Sequence, residues 1–189
     1  MSAKGGRTVD SKDAWAGDPR PYLGPGRKGT GDPWAAHAAA HGRKGTQRLL
    51  AVGAVDPPEP VREFFRLSHS AQVIARRRLI LLDDRPIELA DSYYPLHLAN
   101  GTALAEHRKV RGGTASLLAA IGQTPEDEPL EDVAAAAATA EQSHLLRLPE
   151  GSPVLICVRF VASSTGEPIE VSIMTGTGHL RYRQRRQAS

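Results

Sequence analysis

Along residues 154–162 apolar side chains recur at every second position. Val154, Ile156, Val158, Phe160 and Ala162 share one face of a strand, because successive side chains point to opposite sides. A polar turn follows, Ser164-Thr165-Gly166-Glu167. The return run places Ile169, Val171 and Ile173 on one face and Glu170, Ser172 and Met174 on the other. This pattern predicts a hairpin. Helices are marked by their ends. Thr139 and Gln142 have capping-box spacing, and Pro149 and Gly151 stop the helix that follows. Pro60 suits the first turn of a helix over 61–67, and Gly122 terminates one over 114–121.

The pattern occurs twice. Phe65-Arg66-Leu67 and then residues 73–78 correspond to Leu146-Arg147-Leu148 and then residues 154–159. Arg78 and Arg159 therefore occupy matching places, 81 positions apart. Each strand runs to a turn, Asp83-Asp84-Arg85 in the first copy, and each turn leads to Pro-Ile-Glu, at Pro86-Ile87-Glu88 and Pro168-Ile169-Glu170. Residues 49–52 answer 130–133 as the incoming strand. The unit is strand, helix, strand, turn, strand. Two units predict an α+β domain, a mostly antiparallel six-stranded sheet with helices on one face and two related halves. An insert over 95–128 separates the copies. In it Arg108, Lys109, Arg111, Gly112 and Gly113 precede the helix that starts at Thr114. Glycines and cations at that junction read either as an anion seat or as an ordinary loop.

Composition narrows the class. The 189 residues are 40% hydrophobic and 24% charged, the profile of a domain with a full core. No apolar run is long enough to cross a membrane, no signal-peptide pattern opens the chain, and Cys157 is the single cysteine. These features predict a cytoplasmic protein without a disulfide. The net charge of +3 is unevenly spread: residues 1–48 hold nine Lys/Arg against four Asp, and residues 49–180 hold eleven against seventeen acids. Four arginines follow from Arg181 onward. A basic arm and a basic tail thus flank an acidic body. They read as solvated termini or as contacts to acidic partners.

The first 47 residues have no sustained apolar period and many Gly and Pro, and they read as an arm. Within it Asp32, Pro33 and Gly42 delimit one short helix bearing Trp34, His37 and His41. The two histidines have metal-ligating spacing but no third ligand beside them. Gly26-Arg27-Lys28-Gly29-Thr30 recurs as Gly42-Arg43-Lys44-Gly45-Thr46, in each case without the strand that a phosphate-binding loop follows.

The stretch Arg76-Arg77-Arg78 feeds directly into an apolar strand, where a charge must face water or meet a partner. Alternation sets Arg76 and Arg78 on one face and Arg77 on the other. Arg78 is the candidate for gripping an anion. The structural alternative for each arginine is an ion pair with Glu88, Asp91 or Glu170.

Two runs carry a family resemblance. Arg78, Leu82-Asp83-Asp84, Pro86, Tyr93 and Pro95 form the first. Ala138 to Glu141, Leu146, residues 148–155 and Gly166-Glu167-Pro168-Ile169-Glu170 form the second. Together they resemble the effector-binding (UTRA) domain of GntR/HutC-type bacterial transcriptional regulators. The resemblance covers roughly residues 47–184. It divides the chain into a basic arm (1–47), a UTRA-like domain (48–184) and a tail (185–189). It implies a chorismate-lyase-like fold, a small-molecule effector in a cleft between sheet and helices, a homodimer and no cofactor. It implies no catalysis. DNA would be contacted only through a winged-helix domain, which residues 1–47 are too short to supply. By position the resemblance places Arg78, Thr114 and Glu170 at the effector, and the full candidate effector-contacting set is Arg78, Glu88, Ser92, Tyr93, Arg111, Thr114, Arg159, Glu170 and Thr175.

Departures from the family pattern bear on the ligand. Ile80 stands where phosphosugar-sensing members carry a second arginine. Ala90 stands where an acid meets an amino group, with Glu88 and Asp91 nearby. The usual Asp-Arg-Tyr after the last strand is missing. The effector classes are thus sugar phosphates, amino-sugar phosphates, small carboxylates or a neutral hydroxylated molecule. A chorismate-lyase-like enzyme using Arg78 and Glu170, and a stand-alone partner-binding protein, are the alternatives.

Overall fold

The computed structural model describes residues 32–126 and 129–177. The elements are α1 (Pro33–Ala40), β1 (Gly45–Val55), α2 (Glu59–Phe64), β2 (Val73–Leu82), β3 (Arg85–Pro95), α3 (Leu96–Ala99), α4 (Thr114–Ala120), β4 (Leu130–Ala137), α5 (Ala140–Leu146), β5 (Pro153–Ala162) and β6 (Pro168–Gly176). The six strands form one antiparallel sheet in the order β1-β2-β3-β6-β5-β4. That order is two copies of strand, helix, hairpin placed back to back, with β3 and β6 meeting at the centre. The predicted α+β fold with related halves is the fold observed.

The repeat extends to backbone geometry. Arg66 and Arg147, at matching places after α2 and α5, both adopt left-handed conformations, with φ of 52° and 56°. Each ends its helix where a residue other than glycine rarely sits. Thr139 accepts a hydrogen bond from Gln142 N while the Gln142 side chain returns one to Thr139 N, so the predicted capping box is present. Asp83 and Asp84, both with positive φ, make the tight turn of the first hairpin.

Helices α2 and α5 cover one face of the sheet, as a duplicated unit requires. Val61 and Phe64 pack with Val73, Tyr93 and Val171, and Leu146 packs with Leu79 and Leu89. The other face is covered too, by elements outside the repeat. Trp34 and Ala38 of α1 lie on Ile80, Leu82 and Ala90, and Leu104, Val110 and Leu118 of the insert lie on Ile74 and Tyr94. The arm expected over 1–47 is thus folded from Asp32 onward. Asp32 caps α1 through Trp34 N, as predicted, and the Trp34 indole donates to Leu81 O at 3.0 Å. β1 begins at Gly45 because a Cβ there would stand 2.8 Å from Ala38 Cβ and from Trp34 Nε1. Only glycine lets the helix lie so close to the strand. The second basic Gly-Thr motif is this connection. Its Lys44 and Arg43 pair with Asp84 and Asp83 of the hairpin turn. The first motif lies outside the described residues. So does the tail from residue 178 onward.

Candidate functional site

The three consecutive arginines have three different surroundings. Arg76 is 3% exposed and reaches the insert. Its Nη1 donates to the carbonyls of Ala103, Leu104 and Glu106 at 3.0, 2.7 and 2.9 Å, and its Nη2 donates to Arg108 O at 2.7 Å. One guanidinium therefore fixes residues 103–108 over the sheet. Arg77 points to the opposite face and pairs with Asp91 at 3.3 Å and Glu141 at 2.7 Å, tying β2 and β3 to α5. Arg78 shares the face of Arg76. Its Nη2 donates to Ser92 Oγ at 2.8 Å, while its Nε is buried without a hydrogen-bond partner.

From Arg78 a polar chain crosses the centre of the sheet. Ser92 Oγ lies 2.7 Å from Ser172 Oγ, and Ser172 Oγ donates to Glu170 Oε1 at 2.7 Å. Ser92 and Ser172 are partners across the β3–β6 pair, so this link stands where the two halves join. In the second half Arg159, 9% exposed, donates through Nε to Glu131 Oε1 at 2.6 Å. Glu131 is its direct cross-strand neighbour on β4. The Tyr94 hydroxyl is buried near Ser92 and Thr114 and makes no hydrogen bond of full geometry. Burial pushes that phenol well above its usual range.

Glu88 lies on the same face. Desolvation raises its carboxyl above the ordinary value, against the pull of Arg78 and Arg159. An acid whose folded value is raised binds more protons folded than unfolded, so stability falls as pH rises through that window. Glu88→Gln is accordingly expected to stabilise the domain at pH 8 and to have no such effect at pH 4. Urea unfolding of both proteins at the two pH values checks this. A destabilised variant at pH 8 would show that the pull of the arginines outweighs the desolvation.

A cavity of about 80 Å³ opens beside Arg78, lined by Gln47, Leu49, Arg76, Arg78, Lys109, Val110, Gly113 and Thr114. It lies between the first half of the sheet and the insert. Of the nine residues predicted from sequence, Arg78 and Thr114 line it. Glu88, Ser92, Arg159 and Glu170 stand on the same face of the sheet. Arg111 is exposed in the turn before α4 and does not line the cavity. Tyr93 and Thr175 are corrected in position: both lie on the opposite face. Tyr93 packs with Val61 beneath α2, and Thr175 accepts from Gln142 Nε2 of α5. Strand alternation held the signal, since Ser92 and Tyr93 are neighbours in one strand and cannot face the same way. Sequence reasoning did not include Gln47, Leu49 and Val110 in the site, whereas Lys109 and Gly113 belong to the anion seat it offered ahead of α4. A larger groove of about 750 Å³, where β2 starts and β3 ends, includes none of the predicted residues and no Lys or Arg.

Among the described residues no group of three or more His, Cys, Asp or Glu is arranged to hold a metal ion, and no helix is long and apolar enough to cross a membrane. His41 Nδ1 lies 3.0 Å from His37 O, within α1 and its cap.

The match to known families is decisive. The family model for the UTRA domain matches residues 40–180. The chain belongs to the UTRA domain family. Solved structures share the UTRA fold seen here. A ligand-binding domain assigned to the GntR family of transcriptional regulators, from Bordetella bronchiseptica, aligns with a TM-score of 0.65 at 22% identity, over 76% of this chain and 90% of that one. A GntR-family transcriptional regulator from Enterococcus faecalis aligns at 0.63 and 18% identity, over 74% and 100%. PhnF from Mycobacterium smegmatis aligns at 0.65 and 16%, over 82% and 70%. No curated protein matches the chain. The described residues form one UTRA domain, and no winged-helix unit is found among them.

Proposed function

We propose that this UTRA domain is the effector sensor of a GntR/HutC-type transcriptional regulator and that its effector is a small carboxylate. The observation that carries the reading is Arg78: it lines a cavity together with Arg76 and Lys109, and its buried Nε has no hydrogen-bond partner. A guanidinium presents a planar fork that suits a carboxylate, and an unmet buried donor favours a ligand that accepts from it. Size supports the same class. About 80 Å³ holds a handful of waters, whereas larger ligands occupy sites of roughly 300–1,000 Å³. Ile80, in place of a second arginine, leaves one fork rather than two. Effector binding would act on a homodimer and reach DNA through a winged-helix domain.

A thermal-shift panel tests the reading, with sugar phosphates, amino-sugar phosphates, short carboxylates and free sugars. A short carboxylate at about 100 times its Kd adds about 2.7 kcal/mol of stability, a rise in Tm of about 5–10 °C. A panel in which only sugars or phosphosugars shift the Tm would overturn the carboxylate class. No shift at all would favour a partner-binding role. Steady product formation from chorismate would favour an enzyme, with Arg78 and Glu170 on the substrate.

A further inference from the structure

The rim of the cavity is built partly by α1. Asp32 Oδ2 accepts from Lys109 Nζ at 2.9 Å and from Gln47 Nε2 at 2.6 Å, while Oδ1 accepts from Trp34 N at 3.0 Å. The Asp32 side chain is only 7% exposed, so these bonds are shielded from water at the carboxylate. Lys109 and Gln47 are also lining residues of the cavity. Pro33 packs against the same rim, since a Cβ on Gly113 would stand 3.5 Å from Pro33 Cγ. One carboxylate of α1 thus holds both a cation and an amide that a bound anion would need.

We propose, on the reading of this cavity as an anion site, that an anionic ligand takes Lys109 and Gln47 from Asp32, and that this exchange loosens α1 from the sheet. Asp32 acts as the resident anion of the rim. It satisfies the ammonium, orients the amide and caps the helix with its other oxygen. A ligand carboxylate in the cavity offers Lys109 a second acceptor, and two carboxylates beside one ammonium repel each other. As Lys109 and Gln47 move to the ligand, Asp32 loses both side-chain partners and keeps only the cap to Trp34 N. The side of α1 anchored through Asp32 is then held to the sheet by its apolar contacts and by the Trp34 indole bond to Leu81 O.

Asp32→Asn separates this device from the anion site itself, because asparagine remains a good helix cap but no longer competes as an anion. The probes are pyruvate and inorganic phosphate, with heat of binding measured by titration calorimetry. The position of α1 is read from acrylamide quenching of Trp34, in a Trp15→Phe background. In the parent protein pyruvate is expected to release heat and to increase quenching of Trp34, which is 2% exposed. In Asp32→Asn the quenching is expected to be high already, with pyruvate bound on the order of tenfold more tightly. Lys109→Gln is expected to weaken binding and abolish the quenching response. Pyruvate heat without any change at Trp34, or an Asp32→Asn protein with parental affinity and quenching, would overturn the exchange and leave the anion site standing. No heat with either probe in a folded parent protein would overturn the anion site, and the exchange with it. Binding of phosphate in place of pyruvate, with the same Trp34 response, would keep the exchange and correct the ligand class.

Discussion

Replacement of Arg76 by methionine is expected to cost the domain about 3–5 kcal/mol, the largest loss from any single arginine among the described residues. The side chain volume is roughly kept, so the loss is one of hydrogen bonding. Four carbonyls, those of Ala103, Leu104, Glu106 and Arg108, lose their donor together. A buried carbonyl left without a partner costs about 1–3 kcal/mol, and water can reach those of the exposed residues Glu106 and Arg108 more easily than that of Leu104. Burial already works against this charge, pushing the Arg76 value below that of a free guanidinium. The carbonyl set is what retains it. Urea unfolding with an unchanged m-value measures the loss, and a Tm lower by about 10–15 °C accompanies it. Arg76→Lys is expected to recover only part, because an ammonium has three donors and no planar fork. A loss below about 1 kcal/mol would mean that the insert holds itself over the sheet by its apolar contacts, those of Leu104, Val110 and Leu118.

Arg78→Ala is expected to reverse the emphasis, with little change in stability and a large change in binding. Ser92 keeps its hydrogen bond to Ser172, so removing Arg78 strands no buried hydroxyl. Affinity for the short carboxylate identified by thermal shift should fall about 100-fold, or about 2.7 kcal/mol, the scale of a lost charge-assisted pair. Arg78→Lys should lie between, since it retains the charge and loses the fork. Titration calorimetry on all three proteins at one ionic strength measures this. Equal affinities in folded proteins would remove Arg78 from the site and turn attention to Lys109 and Thr114, which line the same cavity.

Much of this domain was legible in the order of its residues. The spacing of 81 between Arg78 and Arg159 predicted two copies of one unit, and the sheet order places those copies back to back. Alternation set Arg76 and Arg78 apart from Arg77. The capping signals at Asp32, Thr139 and Gln142 are realised at those residues. These features depend on neighbours within a few positions, or on a pattern repeated along the chain. They are local enough for sequence to determine them.

The tertiary structure decided the rest. Alternation sorts a strand into two faces but does not say what covers each. That Tyr93 and Thr175 lie under α2 and α5, away from Arg78, follows from which helices pack where. It also decided which arginine meets which partner. Arg76 meets carbonyls some thirty residues away, Arg159 meets Glu131 rather than Glu170, and Lys109 meets Asp32 across 77 positions. Such contacts depend on strand register, and register shifts at Leu49/Ala51, Ile80/Leu81 and Val161/Ala162 offset the pairing by a residue. One extra residue in a strand redirects the side chains beyond it. Nothing in the sequence near those arginines marks the shift. The sequence by itself therefore determined a duplicated antiparallel sheet on which Arg76 and Arg78 share a face. Only the folded chain determined that Arg76 holds the insert, that Arg77 holds a helix, and that Arg78 lines the cavity.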